Sequence, residues 1–118
     1  MSLREIRLLM GTKKFEQALA ALERLLKRHS ECADLWILRG DLIQLLDAED
    51  GPPLNEAAAS YSKALRLNPN CLETIEGLAH YYDAVDHNPI KARRYAERYI
   101  QRATKSISEM ERIIADTL

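Results

Sequence analysis

Apolar residues recur every three or four positions along much of the chain, and the stretches that keep this period predict helices. Ile6, Leu9 and Met10 mark a first helix over residues 5–10. Leu19, Leu22, Leu25 and Leu26 make a second stripe over 16–28, opposite Glu16, Glu23, Arg24 and Lys27. The polar run His29, Ser30, Glu31 ends it. A third helix over about 33–46 carries Leu35, Trp36, Leu38, Leu42, Ile43 and Leu46. Gly51, Pro52 and Pro53 predict a loop over 47–53, and Pro53 suits the first turn of a fourth helix. That helix carries Ala57, Ala58, Tyr61, Ala64 and Leu65 and stops before Asn68, because Pro69 disfavours α geometry there. A fifth helix is expected over about 72–85, and a sixth from Pro89 with Asn88 as its cap.

After Pro89 the chain holds no Gly or Pro, and Tyr99, Ala103, Ile107, Met110, Ile114 and Leu118 keep a helical stripe. Two readings stay open: one long helix, or a capping box at Ser106/Glu109 or Ser108/Glu111 that starts a seventh. A break near Ser106 is the expectation, since helical arrays cover their last open face with a terminal helix.

The stripes also repeat. Ala18, Ala57 and Ala96 stand 39 positions apart, and the same step links Leu22, Tyr61 and Ile100, then Leu25, Ala64 and Ala103. It carries Cys32 to Cys71, Trp36 to Ile75, Gly40 to Ala79, Ile43 to Tyr82 and Asp47 to Asp86. Apart from Leu25, which falls on Ala64 and Ala103, small residues fall on small ones and large apolar residues on large ones. Each of them reads as core: small residues let helix axes approach and large ones fill the space beside them. The expectation is an all-α chain, one domain of three helical hairpins over about 2–30, 33–68 and 72–105, with an extension over 106–118.

Trp36, Leu38, Gly40 and Ile43, followed by Ala57, Tyr61, Ala64 and Pro69, resemble the signature of the tetratricopeptide repeat. The third unit matches it less closely, through Ile75, Leu78, Ala79, Tyr82, Ala96, Ile100 and Ala103, and the first only through Ala18, Leu22 and Leu25. The resemblance implies an α-solenoid. The family unit is about 34 residues, so a 39-residue step places the extra positions between paired helices, around 47–53 and 86–89.

Composition narrows the function. With 47% apolar and 30% charged residues, four Gly and four Pro in 118, the chain is helix-forming and globular. A formal net charge of −1 argues against nucleic acid. Met1 to Ile6 contain no apolar signal-peptide core, and no apolar run is long enough for a membrane span. The expectation is a cytoplasmic protein in which Cys32 and Cys71 are small buried hydrophobes in a reducing compartment.

Nothing in the chain predicts catalysis, a cofactor or a metal. There is no nucleophile elbow, phosphate loop, HExxH or zinc spacing. His29, His80 and His87 are expected at the surface. Asp47, Glu49 and Asp50 lack calcium-loop spacing and suit a solvated loop. Lys91, Arg93, Arg94, Arg98, Arg102 and Lys105 spread around their helix and suit a solvated outer face.

The resemblance implies instead a protein-binding groove lined by the first helix of each pair. Carried over by position, it would present Arg4 and Arg7, then Asp34, Ile37, Leu38, Asp41, Gln44 and Leu45, then Glu73, Glu76, His80 and Asp83. Ile37 and Leu38 could equally pack on a neighbouring helix. Such a surface is apolar in its middle and acidic in the third unit, which suits a peptide or helix with an apolar anchor and a basic flank. Relatives that clamp acidic chaperone tails use basic and amide residues; the matching places hold Leu3, Arg7, Leu38, Glu73 and Gly77, and only Arg7 has that chemistry. The alternative is self-association through Ile107, Met110, Ile114 and Leu118, which would make a homodimer or scaffold subunit.

Overall fold

The computed structural model describes residues 2–46, 49 and 51–118. Among the described residues there are six α-helices and no strand: α1 Leu3–Gly11, α2 Phe15–Arg28, α3 Ala33–Leu45, α4 Asn55–Leu67, α5 Leu72–His80 and α6 Pro89–Asp116. A π-helical turn, Tyr81–Val85, continues α5. The chain forms two compact units, Met1–Pro69 with α1 to α4 and Asn70–Leu118 with α5 and α6. None of these helices is long and apolar enough to cross a membrane.

The helix starts have local causes. Ser2 Oγ accepts the Glu5 amide at 3.3 Å and caps α1. Asn88 Oδ1 accepts the Lys91 amide at 3.2 Å and caps α6, with Pro89 in its first turn. The fourth helix departs from expectation: it starts at Asn55, two residues beyond Pro53. Pro53 lies in the entry instead, its carbonyl accepting the Glu56 amide at 2.9 Å. Between α1 and α2, the amides of Lys13 and Lys14 return to the carbonyls of Met10 and Leu9 at 3.0 and 2.8 Å. Lys13 holds φ 61°, a left-handed position that Gly usually takes at a helix end.

In the first unit α1 packs on α2, α2 on α3 and α3 on α4. Ile6, Ala18, Leu22, Leu42, Ile43, Ala57, Tyr61 and Ala64 form a core essentially shut off from solvent. Its tightest point is Gly40 against Tyr61. A methyl group at Gly40 would stand 2.7 Å from Tyr61 Cε1. Trp36 is only half-buried at the edge, where its indole N–H donates to the Ser30 carbonyl at 2.8 Å.

In the second unit α5 and the π turn pack on α6. Tyr82 meets Tyr81 edge-on at 5.1 Å and stacks on Tyr95 at 6.0 Å, while the Lys91 ammonium lies 5.0 Å from the Tyr82 ring centre. Arg102 donates to Asn70 Oδ1 at the other end. The half-buried positions of α6 are Ala92, Tyr95, Arg98, Tyr99, Arg102 and Ala103. The 39-residue step had placed Ala96 and Ile100 in the core; instead both are exposed, Ile100 by 62%. Stacking of Tyr95 on Tyr82 turns α6 by about one residue from the face that the repeat selects.

Three further expectations are corrected. Residues 89–116 form one helix with no break at Ser106, because the run after Pro89 holds no Gly or Pro and both Ser106 and Ser108 lie exposed in mid-helix. Cys32 and Cys71 are half-buried rather than core, since each occupies the position just before a helix, α3 and α5. The basic residues of α6 are not all solvated: Arg98 and Arg102 are half-buried, and Lys91 and Arg102 are engaged as described.

Thr74 Oγ1 is buried with no hydrogen-bond partner among the described residues. Thr74→Val keeps the shape and removes an orphaned hydroxyl, so a stabilisation of about 1 kcal/mol is expected in chemical denaturation. Gly40→Ala should cost about 1–3 kcal/mol in the same measurement, because the Tyr61 ring is wedged and cannot move aside freely. Gly11→Ala is its control: nothing lies within 4 Å of the added methyl, and stability should rise by about 0.5–1 kcal/mol.

Candidate binding surfaces

The Tyr61 ring that fills the space beside Gly40 reaches α3 polar groups at its tip. Its hydroxyl donates to Asp41 Oδ1 at 2.5 Å and accepts from Gln44 Nε2 at 2.8 Å. Asp41 and Gln44 are one helical turn apart, so both can face one residue of α4. Burial raises the Asp41 carboxyl above the ordinary carboxylate value, and the Tyr61 hydrogen bond only partly opposes this.

This changes the reading of the predicted groove. Ile37 and Leu38 are buried, 4% and 8% exposed, and belong to the core rather than to a binding surface. Asp41 is half-buried and holds Tyr61. Arg4, Arg7, Asp34, Gln44 and Leu45 are exposed. Leu45 lines a cleft of about 280 Å³ with Leu46, with Lys13 and Lys14 of the α1–α2 connection, and with Phe15, Glu16 and Gln17 of the first turn of α2.

A second feature of this unit had no sequence signal. Arg39, with its side chain 15% exposed, reaches Glu23 of α2 at 3.4 Å, and Glu56 and Ser60 of α4 at 3.1 and 2.7 Å. Ser60 Oγ also donates to the Glu56 carbonyl. One guanidinium therefore ties three helices and neutralises two carboxylates. It forms part of the wall of a cleft of about 480 Å³ that includes Trp36, Leu26 and Lys27. Arg39, Glu23 and Glu56 share no local motif; only the packing of α2, α3 and α4 brings them together.

In the second unit Glu73, Glu76, His80 and Asp83 are exposed and spaced three, four and three apart, so they form one stripe along α5 and its π turn. His80 Nε2 lies 3.7 Å from Glu76 Oε1. Beside the stripe is a cleft of about 400 Å³ lined by Ala79, His80, Asp83, Pro89, Ala92, Arg93 and Ala96. Arg93 is held by Glu97 at 2.8 Å. The cleft's apolar lining is three alanines and Pro89, and its polar lining is His80, Asp83 and Arg93, with Glu76 and Glu73 further along the same stripe of α5.

His29 and His87 are exposed, one at the C-terminal end of α2 and one before α6. Of the acidic loop residues, Asp47 and Asp50 lie outside the described residues, and Glu49 is exposed. Among the described residues no group of three or more His, Cys, Asp or Glu could hold a metal ion. The chain matches no protein-family model, no curated protein and no solved structure.

The raised Asp41 value fixes the sign of a pH effect. The folded state favours protonated Asp41, so its contribution to stability is largest at acid pH and is lost as pH rises through the folded-state value. Asp41→Asn keeps an acceptor for Tyr61 and cannot ionise. The melting-temperature difference, variant minus parent, should therefore grow as pH rises from below the ordinary carboxylate value to neutral; a flat difference over that whole span would refute the assignment.

Proposed function

We propose that the chain is a non-catalytic helical-hairpin module of the tetratricopeptide kind that holds a peptide or helix of another protein. The observation that carries this reading is the pairing in the second unit of an acidic stripe, Glu73, Glu76 and Asp83, with an alanine-lined cleft. An apolar side chain of the ligand enters the cleft and its flanking Lys or Arg lies along the stripe. The lining offers methyl groups and a proline ring but no aromatic ring to stack on, so the anchor is an aliphatic side chain. Gly40 beneath Tyr61 supports the family resemblance, because close helix approach through a small residue is what that signature encodes.

Asp41 is not part of this surface, since it is committed to Tyr61. Charge reversal there would disturb packing and report on folding. Glu73→Lys with Glu76→Lys is the cleaner probe, both side chains being exposed. A displayed random-peptide library selected on the parent protein should enrich an aliphatic residue flanked by Lys or Arg. Affinity for the enriched peptides should fall about tenfold or more in the double variant, with helicity unchanged. Enrichment without basic residues, or binding untouched by the reversal, would defeat the proposal.

A further inference from the structure

Among the described residues nothing covers the C-terminal half of α6: every residue from 104 to 118 is exposed. It is not a polar helix. Ile107, Met110, Ile113 and Ile114 are exposed by 44–61%. With Ile100, 62% exposed, and Ile113 set aside as a flanking residue, they follow a seven-residue period: Ile100, Ile107 and Ile114 at one seam position, Ala103, Met110 and Thr117 at the other. That is the pattern of a helix made to pair with a helix.

Charge along α6 shows what kind of helix fits. From residue 91 to 105 there are six basic side chains and one acid, Glu97. From 106 to 118 there are three acids, Glu109, Glu111 and Asp116, and one base, Arg112. The helix is therefore basic in its first half and acidic in its second. A second copy laid antiparallel over residues 100–117 brings Arg102 and Lys105 of one copy near Asp116 and Glu111 of the other; a parallel copy stacks like on like.

We infer that α6 mediates antiparallel self-association of this protein, with the Ile100–Ile107–Ile114 seam as the contact. Layers in which Ile107 meets Met110 of the second copy place Ile100 opposite Thr117, an overlap of roughly 27 Å at 1.5 Å per residue. About ten apolar side chains from two copies bury roughly 600–1,200 Å², at the lower end of specific interfaces. The dimer is accordingly reversible. This inference does not rest on the α5 surface, and the two fail separately: Glu73→Lys with Glu76→Lys leaves the dimer intact.

Sedimentation equilibrium and light scattering on the whole chain should show a monomer–dimer equilibrium. Ile107→Asp, at an exposed position, should weaken it at least tenfold while circular dichroism keeps the helix content. Raising salt from about 0.05 to 0.5 M should weaken an antiparallel dimer and strengthen a parallel one. With Cys32→Ser and Cys71→Ser as background, Ile100→Cys mixed with Thr117→Cys should form the mixed disulfide upon oxidation. A mass independent of concentration into the millimolar range, a dimer indifferent to Ile107→Asp, or Ile100→Cys linking mainly to itself would each overturn the inference.

Discussion

The first unit depends on one close approach, that of α4 to α3 at Gly40. A bare Cα there admits the Tyr61 ring, and the ring is then long enough to reach Asp41 and Gln44 with its hydroxyl. Apolar wedge and polar tip work together: the ring sets the spacing of the two helices, and the hydroxyl sets their register. Ala57 and Ala64, a turn away on either side of Tyr61, are buried for the same reason, since larger side chains would hold the axes apart. Arg39 works from another side of α3 and could not reach Glu56 and Ser60 of α4 if the helices were further apart.

The second unit solves the same packing problem with different chemistry. Where the first has Gly40 and Tyr61, the repeat puts Ala79 and Ile100, and that pair does not form a core. The stack of Tyr82 on Tyr95, with Lys91 against the Tyr82 ring, decides how α6 meets α5. An aromatic pair with a cation over one face offers more contact than Ile on Ala, and the helix turns to suit it. The turn has a consequence for function: it leaves Ile100 in the open, continuous with the apolar stripe of residues 107–114. It also opens the alanine-lined cleft beside the acidic stripe.

The two candidate surfaces of this unit thus share an origin but differ in what they accept. The α5 stripe is acidic and one-sided, so it suits a ligand that brings positive charge. The α6 seam carries both signs in sequence, so it suits its own reverse. Neither involves the buried Asp41, whose ionisation is held back by burial and whose role is internal.

Much of this was legible in the sequence. Periodicity, Pro69, Asn88 and the polar break after Arg28 place the helices to within a few residues, because these are local effects of backbone geometry and capping. Gly40 and Tyr61 announced a close approach, since only a small residue beside a large one makes sense in a tight crossing. The exposed acids Glu73, Glu76 and Asp83 could be placed on one face from spacing alone. What the tertiary structure decided was which face of each helix meets its neighbour. Ile37 and Leu38 went into the core, Asp41 became a partner for Tyr61, and Arg39 gathered Glu23 of α2 and Glu56 and Ser60 of α4 from two separate stretches. Helical period fixes a stripe only to within about one residue of rotation, and contacts between distant segments, here Tyr82 with Tyr95, settle the rest.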